Sequence, residues 1–223
     1  MAAPPRDLVL DLSRFEPHVQ GLLAARPDAF IDLRANAYGT GLDLMRTVLG
    51  SLGATNFLLD DATRSDVDEL RAGPGVISGE ALLGLAKGQA GFTTFSGTVV
   101  NVKRVPAGRR ISYGYTYATA NTATVALVAL GYADGVLRRA SSHCPVRVGT
   151  VTGTIAGRVA MDQFVVDLGD ADIQPGDTAI LWGNPSLGEP SIAQWGRLTG
   201  VPSLAIHSGL GPRVTRSCEV SVE

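Results

Sequence analysis

Lysine is almost absent from this chain. Of 223 residues, only Lys87 and Lys103 carry a side-chain primary amine, so chemistry that needs a lysine imine has two places to reside. Runs of basic residues are missing too: no stretch of consecutive lysine or arginine exceeds two residues, and 19 basic against 21 acidic side chains leave a formal net charge of −2. That balance provides no electrostatic footprint for nucleic acid or for an anionic membrane surface. No apolar run approaches the roughly 18 residues of a membrane span, and residues 1–7 lack the apolar core of a secretion signal, so a cytoplasmic protein is expected. Two cysteines, Cys144 and Cys218, are too few for a disulfide framework. His18, His143 and His207 show no metal-ligand spacing, and the glycine clusters match neither phosphate-loop nor dinucleotide patterns. No metal site is expected.

What is present is an ordinary globular composition, 45% hydrophobic and 18% charged. Leu8 to Leu10 reads as a short strand, and Asp11 to Arg26 as a helix burying Phe15, Val19, Leu22 and Leu23, with Asp11 or Ser13 available as a cap. Ala29 to Leu33 is a compact apolar run, followed by a helix carrying Leu42, Met45, Val48, Leu49 and Leu52 and closed by Gly50 or Gly53. Asn56 to Leu59 repeats the strand pattern, and Thr63 with Asp66 forms a capping pair for a helix carrying Val67 and Leu70, broken at Gly73-Pro74-Gly75. Beyond Thr94 the rhythm becomes β: strands are expected at Thr98 to Val105, Ala123 to Leu130, Val146 to Thr150, Val159 to Leu168 and Thr178 to Trp182. One further helix, Ser191 to Leu198, is capped by Ser191 and buries Ile192, Trp195 and Leu198. The reading is an α/β segment at 1–85 and a β-rich domain at 86–223, joined near the glycine-rich stretch Gly84 to Gly91.

Several motifs occur in series: Asp11-Leu12-Ser13, Ala35-Asn36-Ala37-Tyr38-Gly39, Ile111-Ser112-Tyr113-Gly114, Gly131-Tyr132-Ala133-Asp134-Gly135, Gly157-Arg158-Val159-Ala160-Met161-Asp162-Gln163 and Arg213-Val214-Thr215-Arg216. In this order they resemble the alanine racemase family. The resemblance implies an α/β barrel carrying pyridoxal phosphate (PLP), then a β domain whose tip completes the partner subunit's site in a head-to-tail dimer. For this chain it implies an α/β fragment of partial TIM-barrel-like βα units plus a C-terminal β-rich barrel domain. By the same resemblance Arg34 stands where the family's imine-forming lysine belongs, and Tyr38 matches a tyrosine that contacts the cofactor phosphate. Tyr113 matches the second catalytic acid/base. Met161 and Asp162 match the loop lining the substrate entrance, while Tyr132, Arg138 and Arg158 match entrance and carboxylate-side positions. Read as residues alone, Tyr113 is a tyrosine on a β-turn, Tyr38 a ring covering a strand end, Met161 packing, and the arginines surface charges or structural ion pairs.

The departures from the family concentrate on the cofactor. A guanidinium stays protonated at physiological pH and forms no Schiff base. Such barrels take about 250 residues, whereas the segment before the β domain here is 1–85. About two βα units are recognisable, with Gly75 to Gly84 as the junction at the barrel's last strand. Ile77-Ser78 stands where the resemblance places an arginine opposite the pyridine nitrogen, Pro212 replaces a phosphate-gripping tyrosine, and Leu83 replaces the tyrosine of a Tyr-Gly pair. The expectation is a racemase-like protein with a degraded PLP site and no bound cofactor, acting as a pseudoenzyme or association partner. Its partner would be a second copy of itself, or a full-length racemase in a heterodimer, with a small amino acid as a possible ligand and neither nucleic acid nor membrane involved. Two alternatives are a PLP-dependent alanine racemase with an atypical site, loaded through Lys87 or Lys103, and a PLP-independent proton-transfer enzyme using Tyr113.

Overall fold

The structure is a computed structural model and describes residues 3–73, 75–86 and 89–220. Strand β1 (Arg6–Asp11) runs directly into helix α1 (Leu12–Ala25), which buries Phe15 and Val19 at the spacing of one helical face. Asp11 occupies the N-cap position without capping; its carboxylate accepts from the Ser13 hydroxyl instead. Strand β2 (Phe30–Asp32), turn α2 (Arg34–Tyr38), helix α3 (Leu42–Ser51), strand β3 (Phe57–Leu58), helix α4 (Arg64–Ala72), strand β4 (Val76–Ile77) and the one-turn α5 (Gly79–Leu82) follow. The Thr63–Asp66 capping box forms as the sequence predicts. The three short strands make a parallel sheet in the order β3-β2-β4, with Ile31 opposite Phe57 on one side and Ile77 on the other.

The remainder is a β domain: β5 (Thr93–Val105), β6 (Arg110–Ile111), β7 (Tyr117–Ala118), β8 (Ala123–Val128), β9 (Pro145–Val148), β10 (Val151–Ile155), β11 (Phe164–Asp167), β12 (Thr178–Trp182), helices α6 (Ile192–Thr199) and α7 (Ser203–Ser208), and β13 (Thr215–Glu219). Eight strands form one sheet in the order β12-β9-β10-β11-β8-β5-β1-β13, and β12 also pairs with β5, so the sheet closes into a barrel. β1 lies between β5 and β13, antiparallel to the first and parallel to the second. The strand at residues 6–11 thus crosses the division expected at residue 85 and belongs to the sheet of the second half.

Several strand boundaries differ from expectation. The strand expected at Val159 to Leu168 is confined to Phe164–Asp167, because residues 157–161 leave the sheet as a loop. The one expected at Val146 to Thr150 ends at Val148, and a second strand, β10, completes a hairpin with it. β5 begins at Thr93, five residues before the expected start, and β8 stops at Val128. Helix α7 and strand β13 were not anticipated.

One continuous apolar core spans both halves and includes Leu8, Leu10, Phe15, Ile31, Phe95, Trp182 and Trp195. Trp195 keeps its indole N–H satisfied by donating to the Pro145 carbonyl at 3.1 Å. Two buried polar groups fasten the halves together. His207, fully buried, donates from Nδ1 to the Tyr38 carbonyl at 2.6 Å and accepts at Nε2 from the Thr93 hydroxyl at 3.1 Å. Burial pushes its pKa down to about 4, against the smaller upward pull of the Tyr38 carbonyl. Asp134, also fully buried, accepts from the Gly131 N–H at 2.8 Å and from Arg213 Nε at 3.0 Å. Arg6 Nε lies 3.1 Å from the same carboxylate, but it makes no aligned hydrogen bond, so that contact is charge pairing only.

Two predictions follow from these ties. A histidine held neutral in the fold and free to protonate when unfolded makes stability fall as pH drops from about 6.5 toward about 4, by up to about 3 kcal/mol. Its contribution is complete above about 6.5; urea denaturation across this range should show the slope, and His207→Gln should flatten it. Asp134→Ala leaves Arg6 without its ion-pair partner and takes from Arg213 one of its two carboxylates, and should cost about 3–5 kcal/mol in the same assay.

Candidate functional site

The residues matched to the racemase site fall into two groups. The first lies at the end of β2. Asp32 ends β2 and Arg34 opens the turn that follows, the chain bending between them at Leu33 (φ −115°, ψ 19°). Arg34 grips Asp32 with both arms, Nε donating to Oδ1 at 2.9 Å and Nη2 to Oδ2 at 2.6 Å, while its backbone N–H donates to Oδ1 at 3.2 Å. Asp32 is buried, at 4% exposure. Burial alone would raise its pKa, but the hydrogen bonds from Arg34 and the Tyr38 hydroxyl outweigh that and hold it below the usual carboxylate range. The same pairing raises the Arg34 pKa further. Tyr38 is pushed up to about 12, first by burial and then by its hydrogen bond to Asp32. Its ring packs against Gly79, where a Cβ would come within 2.1 Å of it. Tyr38 thus packs on Gly79 with its hydroxyl toward the Asp32–Arg34 pair.

The backbone here is unusual. Ala35, Asn36, Ala37 and Tyr38 all have φ between +50° and +55°, a left-handed turn that costs roughly 1–2 kcal/mol per non-glycine residue. Bonds to the rest of the chain hold it in place. The Asp60 carboxylate accepts from the Ala35 N–H and the Asn36 amide oxygen from the Leu42 N–H, both at 2.8 Å. His207 donates to the Tyr38 carbonyl, and Arg216 Nε to the Gly39 carbonyl at 2.7 Å. Gly39 itself can only be glycine, since a Cβ there would sit 2.4 Å from the His207 carbonyl oxygen.

The second group lies at one tip of the β domain. Tyr113 pairs as a single β-bridge with Arg158, and the Ser112 hydroxyl donates to the Arg158 carbonyl at 2.9 Å. The turn at residues 131–135 docks on the same loop: the Tyr132 N–H donates to the Ala160 carbonyl and the Ala133 N–H to the Met161 carbonyl, both at 3.0 Å. Gly131 permits that approach, because a Cβ there would lie 2.2 Å from the Met161 carbonyl oxygen. The Arg138 guanidinium stands 5.7 Å from the Tyr132 ring centroid, within cation–π range. Arg213 extends its second arm to Asp162, Nη1 donating to Oδ1 at 2.7 Å. Thus Tyr113, Tyr132, Arg138, Arg158, Met161 and Asp162 are gathered on one tip. Tyr113 is 69%, Met161 53% and Tyr132 45% exposed. No hydrogen bond or ion pair among the described residues joins this tip directly to Arg34 or Tyr38.

Four residues that build these sites were not singled out in the sequence: Asp32, Asp134, His207 and Arg213. Asp32 did leave a signal, a carboxylate inside an apolar run two residues before an arginine. Asp134 and Arg213 lay within motifs but had no partner assigned. Lys103 sits on β5, away from the β2 strand end, and Lys87 lies outside the described residues. Among the described residues there is no histidine, cysteine and carboxylate cluster able to hold a metal, and no helix long and apolar enough to cross a membrane.

Comparison with known proteins agrees with the motifs. The model of the alanine racemase C-terminal domain matches residues 92–218. The alanine racemase of Salinispora arenicola is 43% identical over 158 residues, 70% of this chain and 42% of its own length. That of Beutenbergia cavernae is 48% identical over 116 residues, 52% of this chain and 31% of its own. The chain therefore spans less than half the length of these curated relatives. Among solved structures, alanine racemase from Streptomyces coelicolor superposes with a TM-score of 0.75 at 20% identity, covering 96% of this chain and 98% of that one. The Bartonella henselae enzyme, solved with covalently bound pyridoxal phosphate, gives 0.79 at 14% identity, covering 98% and 100%. At such identities these superpositions speak for the fold alone. The domain match covers more than half of the sequence and takes in the β-domain motifs that the fold gathers on one tip, and by it this chain belongs to the alanine racemase family.

Proposed function

We propose that this chain works by association through the tip of its β domain, and that it does not carry out PLP-dependent racemisation by itself. The observation that carries this reading is the two-armed Asp32–Arg34 pair. Covalent capture of pyridoxal phosphate, as in the Bartonella henselae enzyme, needs an amine that can lose its proton. Arg34 offers a guanidinium whose pKa is raised further and whose donors are committed to Asp32. Tyr38 is likewise engaged with Asp32 and packed on Gly79. The residues at this strand end do not fit the cofactor.

The β3-β2-β4 order supports a partial barrel. β2 has a parallel neighbour on each side, as the first strand of a closed barrel has the second and the last. On this reading residues 1–85 keep the seam of a TIM-like barrel, lack the strands between, and lend β1 to the domain at 86–223. A barrel site is assembled from loops after several strands, so a seam alone supplies little of its wall. The tip, by contrast, is held by its own hydrogen bonds and presents Tyr113, Tyr132 and Met161 to solvent, with Arg138 and Arg158 as carboxylate-binding charges beside them. Aromatic, methionine and arginine side chains are those enriched at protein interfaces. The partner we assign is a second copy of this chain or a full-length alanine racemase subunit, with Tyr113 placed against the partner's site.

Addition of PLP to the purified protein should produce no imine absorbance, and borohydride reduction should leave the intact mass unchanged. A stable adduct on Lys87 or Lys103 would restore the enzyme reading. In sedimentation velocity at micromolar concentration, the protein should associate with itself or with a full-length actinobacterial racemase. Met161→Asp combined with Tyr132→Asp should weaken that association by about tenfold or more; a monomer that ignores the racemase would overturn the proposal.

A further inference from the structure

A second recess lies on the outside of the β barrel. In β8, Ala126 and Val128 are fully buried and face the core, so strand alternation turns Val125 and Leu127 outward. Outward positions of an antiparallel sheet are ordinarily polar. Here they continue sideways into more apolar surface, since Leu127 pairs with Val165 of β11, while Val125 pairs with Lys103 of β5. Val125 is only 8% exposed despite facing away from the core. The β6–β7 hairpin stands over this face and leaves a cleft of about 330 Å³ between hairpin and sheet. That volume lies at the low end of the range for small-molecule sites.

The hairpin is anchored on both flanks. The Tyr117 hydroxyl donates to Asp167 at 2.8 Å on β11, and the Ser112 hydroxyl holds the Arg158 carbonyl on the other side. The charges lining the cleft are of one sign: Lys103, Arg109 and Arg110. Among the described residues none of these three makes an ion pair; Asp170 pairs with Arg104, while Asp167, opposite Val125 on β11, accepts from the uncharged Tyr117 hydroxyl and the Gly169 N–H. An apolar floor flanked by three cations against the one carboxylate of Asp167 keeps an excess of positive charge, which complements a molecule with an apolar body and a single negative end.

We propose that this cleft binds a small amphipathic carboxylate, with its anion among Lys103, Arg109 and Arg110 and its apolar body on Val125, Leu127 and Val165. The site is separate from the strand end at Arg34, and the proposal stands whether or not the chain retains racemase chemistry. Ile111 and Ser112 line the cleft immediately before Tyr113, so an occupied cleft would be felt at the tip.

The test is a pair of titrations of isotope-labelled full-length chain, followed by backbone amide resonances, with hexanoate and with hexylammonium as probes. Hexanoate should shift the amides of Lys103, Ile111 and Leu127 saturably, and hexylammonium should leave them in place. The double variant Lys103→Gln/Arg109→Gln alters exposed side chains and should keep its melting temperature while weakening hexanoate binding by roughly tenfold. Equal shifts with both probes, no saturable shift at the cleft, or hexanoate binding unchanged in the double variant would each overturn the assignment.

Discussion

Asp134 has no exposure to solvent, and a carboxylate taken out of water has to find its compensation inside the protein. Its surroundings supply it from two distant parts of the chain, Arg6 on β1 and Arg213 just before β13, and from the Gly131 amide of its own turn. β1 and β13 are parallel neighbours, a pairing that no tight turn can make. Drawing Arg6 and Arg213 to one carboxylate therefore fixes the first and last strands of the sheet beside the turn at 131–135. Arg213 then carries the constraint outward to Asp162. The position of Met161 and Tyr132 on the surface is thus set from the interior.

The left-handed turn after Arg34 has a comparable role on the other side of the molecule. Its cost is local, but its carbonyls are turned toward the β domain, where His207 and Arg216 donate to them. Arg216 also donates to the carbonyls of Val214, Leu210 and Gly211, so one guanidinium ties the turn to the segment leading into β13. Burial lowers the Arg216 pKa, and that desolvation is offset by carbonyls alone. The turn fastens the βα piece to the barrel through its main chain. None of these main-chain ties uses the side chain at position 34.

Local signals were legible in the sequence. The Thr63–Asp66 capping box, the Ser191 cap of α6 and the strand Thr178–Trp182 depend on residues close together in the chain, and all three form as read. The strands that escaped notice depend on distant partners. Thr-Arg-Ser-Cys-Glu at β13 has almost no apolar alternation and becomes a strand only because β1 lies beside it. The tip residues were found by motif, since Tyr113, Tyr132 and the loop at 157–163 each carry a local pattern. His207 carries none: its partners are 169 and 114 residues away, and nothing around it in the sequence marks it as the buried link between the halves.

The side-chain contacts of the two site regions do not overlap, although Arg216 ties the main chain of the turn after Arg34 to residues 210–214, whose Gly211 N–H donates to the Asp134 carbonyl. At the tip, Arg158 bridges to Tyr113, the turn at 131–135 hangs on the carbonyls of Ala160 and Met161, and Arg213 joins Asp134 to Asp162. None of these bonds passes through Asp32, Arg34 or Tyr38, which satisfy one another. Contacts with no shared partner contribute close to independently. A substitution at position 34 is therefore expected to change the tip's own contacts little. The Asp32–Arg34 pair can thus be altered while the Tyr113–Arg158 bridge and the Arg213–Asp162 contact keep their geometry.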